Sequence, residues 1–142
     1  TEIYTLSLHD ALPILFTVNG MVAAVCSKPD GSRHGPALAW YANGSKASAG
    51  EHRDGMKEGL WCFWHENGQM SGCGVFRSGK PDGMWVTWYD NGQRESEGSY
   101  MDGRHHGRFT HWDREGNIVQ VLRYDHGRLI ERIPYRDGKP LK

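Results

Sequence analysis

Aliphatic side chains are scarce in this sequence, and no apolar run approaches the ~18 residues that a membrane-spanning helix needs. The scarcity argues against a helical core. Net charge is missing too: seventeen basic and seventeen acidic side chains cancel. Between residues 77 and 108 the two signs interleave and leave no strongly basic face. A protein that works by neutralising phosphates carries a basic excess or stripe, so no nucleic-acid partner is expected and contact with anionic membrane is disfavoured. Cys26, Cys62 and Cys73 do not make a secreted disulfide framework, and their spacing is not that of a zinc site. A Ser-His-Asp set, a Gly-rich phosphate loop and a dinucleotide motif are all lacking. No enzyme activity, cofactor or metal is expected.

Glycine and aromatics are plentiful: 19 Gly, 6 Trp and 6 Tyr. That composition suits many tight turns joined by short aromatic strands. The glycines follow no Gly-X-Y register and the turns carry charge, so neither collagen nor a disordered linker fits. Trp40, Trp64, Trp88 and Trp112 stand 24 residues apart. Gly35, Gly59, Gly83 and Gly107 keep the same period, as do the turn glycines Gly44, Gly68, Gly92 and Gly116 and the ladder Gly31, Gly55, Gly79, Gly103 and Gly127. Several independent ladders at one period mark a repeat array. Extended backwards, the ladder puts Phe16 at the Trp position and Asn19-Gly20 at the turn; forwards, Glu131 stands where the next Gly should be.

Each period reads as strand, tight turn, strand, looser turn. Asn-Gly invites a two-residue type I′ turn, but that would put Glu115 at positive φ, where it is unfavourable. A type I turn with Gly at a left-handed bulge suits all four versions. Twenty-four residues cannot hold a crossover helix, so neighbouring strands must be antiparallel. The expected fold is all-β: an elongated, single-layer antiparallel meander of stacked 24-residue hairpins.

The pattern G-x-W-x-x-(W/Y)-x-x-N-G, followed by Gly, an aromatic and a second Gly turn, resembles the MORN repeat. The longer period and the W-Y-x-N-G element are most similar to the bacterial variant labelled a YwqK-type antitoxin. The resemblance covers roughly residues 16–128 and implies a platform for protein or lipid contacts with no catalytic residues to carry over. Residues 1–14, TEIYTLSLHDALPI, resemble a translated sequencing adapter and are expected to be foreign. The true start of the gene and any targeting signal would then be lost, as in a gene fragment, and the compartment stays open. The array is expected over residues 15–130, with 131–142 as a degenerate cap or tail.

The Trp ladders differ in parity. Trp40, Trp64, Trp88 and Trp112 point to one face; Trp61, Trp85 and Phe109 sit three residues earlier and point to the other. The first set is assigned as the structural ladder. The second is the candidate binding ladder, or else a cover for turns and glycines. Under the bulged turn Cys62 and Cys73 are staggered onto opposite faces and read as small apolar fillers. His105-His106 beside His111 read as a solvated turn, and Glu95 and Glu97 as a solvated strand face. The function expected is a non-catalytic scaffold for a protein partner, antitoxin-like by resemblance. The alternative is a carbohydrate or cell-wall binding repeat; peripheral lipid binding comes third.

Overall fold

The computed structural model describes residues 14–18 and 21–141, and these form one open antiparallel sheet of twelve strands in sequence order. The strands are β1 Ile14–Val18, β2 Met21–Ser27, β3 Arg33–Trp40, β4 Lys46–Arg53, β5 Met56–Trp64 and β6 Met70–Arg77. They continue as β7 Lys80–Trp88, β8 Arg94–Met101, β9 Arg104–Trp112, β10 Ile118–Asp125, β11 Arg128–Arg136 and β12 Lys139–Pro140. The meander read from the 24-residue period is the observed topology. The adapter-like segment lies outside the described residues except for Ile14, which opens β1 and pairs with Val25. The expected tail does not begin at a break in the sheet: β11 runs through residue 131 and pairs with β10.

The turns at the two margins of the sheet are of different kinds. At one margin Gly44, Gly68, Gly92 and Gly116 have φ of 84–89°, and the residue before each stays out of the left-handed region. The N–H of Gly68 donates to the His65 carbonyl (2.9 Å) and that of His65 to the Gln69 carbonyl (2.7 Å). This is the bulged type I turn, and Glu115 is spared a strained φ. At the other margin both residues are left-handed in Asp54-Gly55, Ser78-Gly79 and Asp102-Gly103. These are two-residue type I′ turns, so the margin expected to be looser is the tighter one. Short polar side chains at the first position tolerate that conformation.

Asparagine gives the bulged turns a second use. Asn67 accepts a bond from the Gln69 N–H (3.0 Å) and donates from Nδ2 to the Asp90 carbonyl of the next hairpin (2.6 Å). Asn43 and Asn91 reach Glu66 and Arg114 in the same way. At the opposite margin the Gly55, Gly79, Gly103 and Gly127 N–H groups donate to carbonyls of Arg33, Lys57, Pro81 and His105. Both margins are therefore stitched hairpin to hairpin, independently of the strand ladder.

Packing is concentrated on one face, in a row that alternates large and absent side chains. Trp61 and Trp85 both stand opposite Gly74, and Gly98 stands opposite Trp85. Each ring leans onto the glycine of the strand before it. A Cβ built on Gly50 would meet Trp61 at 2.2 Å, on Gly74 Trp85 at 2.2 Å, and on Gly98 Phe109 at 2.3 Å. With strands ~4.8 Å apart, an indole can lie flat across its neighbour only where that neighbour carries no side chain. The tilt accompanies enlarged bulges in which three residues oppose one: Ala49 pairs with Cys62 while Glu51 pairs with Glu58. Gly59 and Gly83, the first glycines of the G-x-W element, take φ of 71° and 92° there. Where the ladder ends, Leu122 replaces the glycine, Ile133 replaces the aromatic, and Glu131 stands at the bulge position.

Gly74→Ala should therefore cost about 2 kcal/mol or more, because its methyl must displace a packed indole. Gly72→Ala, whose Cβ would meet its nearest neighbours at 3.7 Å, should change stability by less than about 0.5 kcal/mol. Urea titrations of the two variants check the contrast, and equal losses would contradict it.

Candidate functional site

The face that carries Trp61 is saturated by its own aromatic contacts. Trp61 is 4 % and Phe109 5 % exposed, and Trp85 is half-buried. A second aromatic ladder, His52, Phe76, Tyr100 and Tyr124, keeps the same period and alternates with them. The contacts run His52–Trp61–Phe76–Trp85–Tyr100–Phe109–Tyr124, every one edge-to-face, with interplanar angles of 74–89° and centroids 5.1–6.3 Å apart. Each such pair contributes roughly 0.5–1.5 kcal/mol beyond the area it buries. Trp61 Nε1–H donates to the Glu51 carbonyl (2.9 Å), so the indole's polar edge is satisfied as well. The Lys57 ammonium lies over Trp61, Phe63 and Phe76 at 4.6–5.0 Å, and burial pulls its pKa down.

This arrangement reverses the exposure expected for the candidate binding ladder. Trp61 and Phe109 are buried over Gly50 and Gly98, and the half-buried Trp85 covers Gly74. Parity did place them opposite the other tryptophans. The W-x-x-W spacing carries no sign of which face packs; the glycines at 50, 74 and 98, each facing an aromatic of the next strand, do.

The opposite face is the open one. Alternation along β5 puts Leu60, Cys62 and Trp64 there, and pairing brings Val75 and Cys73 beside them. Met84 and Trp88 continue the face on β7. Leu60 is 62 %, Met84 54 % and Val75 40 % exposed. Trp40, Trp64, Trp88 and Trp112 are half-buried. Lys46 lies over the Trp64 ring (5.0 Å) and Arg94 over Trp112 (5.5 Å). The Trp64, Trp88 and Trp112 carbonyls accept bonds from Tyr41, His65 and Tyr89 of the preceding hairpin. The row is thus anchored through its backbone while its rings line an apolar surface. A shallow groove of about 440 Å³ opens on this face beside Met84, Arg94, Arg108, Trp112 and Ile118.

Cys62 and Cys73 are directly opposed and joined by a disulfide, with Cα atoms 4.3 Å apart. The expected stagger is undone by a second irregularity beside the turn. Trp64 pairs with Met70 but Phe63 pairs with Gly72, so Ser71 is an extra residue that restores the register of an unbulged hairpin. Cys26 is free and buried. Of the histidines taken together in the sequence, His105 joins the aromatic face against Tyr100 and Tyr124. His111 is half-buried. Glu97 is ion-paired to Arg94 on the open face (2.6 Å).

With two hairpins of this kind defined, their kinship becomes legible. The family model of the MORN repeat variant matches residues 57–77 and 81–102, which are the β5–β6 hairpin and most of the β7–β8 hairpin. The match supports a MORN-repeat protein. The flanking hairpins β3–β4 and β9–β10 share the 24-residue period and the bulged turns at Gly44 and Gly116, and each supplies one half of the glycine–aromatic packing, Gly50 under Trp61 and Phe109 over Gly98. No curated protein matches the chain.

The packed face also carries the titratable side chain of His52. His52 is 7 % exposed, and its Nδ1 has no hydrogen-bond partner among the described residues. Burial, then the charges of Arg33 and Lys57, lower its pKa from the ordinary 6.5. His111 is lowered too, by burial first and by His105, against an opposing pull from Glu95. Between each folded pKa and 6.5 the unfolded chain binds more protons than the folded one. Their contribution to stability is therefore full above about pH 6.5 and falls as pH drops through that window. The thermal midpoint should be lower at pH 5 than at pH 7, and His52→Phe should reduce that difference. An unchanged difference would remove His52 from the account.

Proposed function

We propose that this chain is a non-catalytic scaffold that binds a protein partner through the face bearing Leu60, Val75, Met84, Trp64 and Trp88. The observation that carries the reading is the asymmetry of the sheet. One face spends its aromatics on internal packing, while the other leaves large apolar side chains exposed in adjacent hairpins. Contiguous exposed apolar surface on a rigid sheet favours interaction over chemistry, and Trp is a frequent anchor at protein interfaces. MORN-type repeats suit such a platform. The resemblance to the YwqK-type antitoxin variant adds a narrower reading, in which the partner is a toxin that the face neutralises.

A carbohydrate or cell-wall ligand is the second reading, favoured by the row of half-exposed indoles at Trp64, Trp88 and Trp112. The cations over Trp64 and Trp112 weigh against it, because they occupy ring faces that a sugar would need. Lipid binding ranks third, since the formal net charge is zero.

Leu60→Asp combined with Met84→Asp separates these readings. Both side chains are more than half exposed, so the pair should shift stability by less than about 1 kcal/mol. Protein capture from native lysate should fall to background for the double variant, while the thermal midpoint stays in place. Undiminished capture, or binding to glycans or vesicles in place of protein, would overturn the proposal.

A further inference from the structure

The tight-turn margin repeats one arrangement four times. A side chain on the strand that enters each hairpin accepts a bond from the N–H of the turn residue twenty positions on. His34 Nδ1 accepts from Asp54, Glu58 from Ser78, Asp82 from Asp102, and His106 Nδ1 from His126, at 2.7–3.5 Å. The residue just before the turn is the third position of each set. The three positions hold His34, Arg53 and Asp54 in the first case, then Glu58, Arg77 and Ser78, then Asp82, Met101 and Asp102. In the fourth they hold His106, Asp125 and His126, and every member is a metal-ligand type.

We propose that His106, Asp125 and His126 form a binding site for a divalent transition-metal ion of the zinc class. One ligand atom from each residue lies within 4.8 Å of the others. Zinc bonds of ~2.0–2.2 Å in tetrahedral geometry set ligand atoms ~3.3–3.5 Å apart, so small rotations of the two exposed side chains close the site. Two imidazoles and a carboxylate suit zinc, cobalt(II) or nickel(II), and are too few and too nitrogen-rich for calcium or magnesium. The His106 and His126 rings already face each other, with centroids 4.9 Å apart. His126 Nδ1 lies 2.6 Å from Asp125 Oδ1.

The backbone fixes the positions of these residues before any ion arrives. His126 sits at φ 46° in a type I′ turn, and the next residue, Gly127, donates to the His105 carbonyl at 2.8 Å, tying the turn to β9. In two of the sister clusters a protein cation already occupies the carboxylate. Lys28 is ion-paired with Asp54, and Lys80 with Asp102 at 2.9 Å. At the fourth turn the position of that carboxylate holds His126, an imidazole that offers a lysine no negative charge but can ligate a metal ion. Three protein ligands leave a fourth position for water or for a donor from a bound partner. Sequence inspection pairs His106 with His105 and His111, its neighbours along the chain. The true partners lie twenty residues on, brought back by the hairpin.

Cobalt(II) titration of the full chain, followed by its visible d–d absorption, tests the site. One saturating equivalent is expected. His126→Asn keeps a residue that tolerates positive φ and should weaken cobalt binding about tenfold or more; Asp125→Asn, outside the left-handed position, should do the same. His34→Gln, in the sister cluster already served by Lys28, should leave affinity unchanged. A circular-dichroism melt without metal shows that the variants fold. Absence of saturable binding, or unchanged affinity in both His126→Asn and Asp125→Asn, would overturn the proposal.

Discussion

An aromatic ring seated on a glycine of the neighbouring strand is the contact on which this sheet depends. A one-layer sheet has no second layer to pack against, so its stabilising contacts must lie along its own surface. Rings of the size of Trp61, Trp85 and Phe109 can lie flat across a neighbouring strand only where it carries no side chain. Removing the side chain at Gly50, Gly74 and Gly98 lets each ring lie flat across a strand pair and touch the next aromatic edge-on. The three-residue bulges at Gly59 and Gly83 give the strand the extra length for that tilt. Ring, facing glycine and bulge glycine thus act as one unit, and the repeat is that unit copied.

Because that unit uses up one face, the other is left to do something else. The open face keeps its tryptophans half-buried and fixes them through backbone bonds from the preceding hairpin, so their placement does not depend on ring packing. Substitutions of its most exposed side chains touch little that holds the sheet together. That separation of stability from surface lets a hairpin array vary its surface residues from one hairpin to the next, as the fourth tight turn does with its histidines.

Much of this was legible from the residues. The 24-residue ladders define the hairpins, and Glu115, which could not tolerate a type I′ turn, identifies the bulged turn at one margin. Parity separates the two tryptophan sets correctly but is symmetric between faces, so it could not say which one packs. The deciding signal was the glycine at 50, 74 and 98, meaningful only once pairing sets it opposite an aromatic. The Cys62–Cys73 pairing was hidden by Ser71, since one unseen bulge flips every face assignment beyond it. The His106 cluster was hidden because its members lie twenty residues apart and meet only through the turn.

A double-mutant cycle on Gly98 and Phe109 probes the ring-on-glycine contact most directly, because it measures the pair itself and not the sum of its parts. Gly98→Ala should be strongly destabilising in the native background, where the new methyl strikes the Phe109 ring. In a Phe109→Ala background the same substitution should be neutral or stabilising, because the methyl then enters vacated space. The account predicts a coupling of about 2 kcal/mol or more between the two sites in urea denaturation. Additive losses would show that the glycine is required for its backbone alone, and would contradict it.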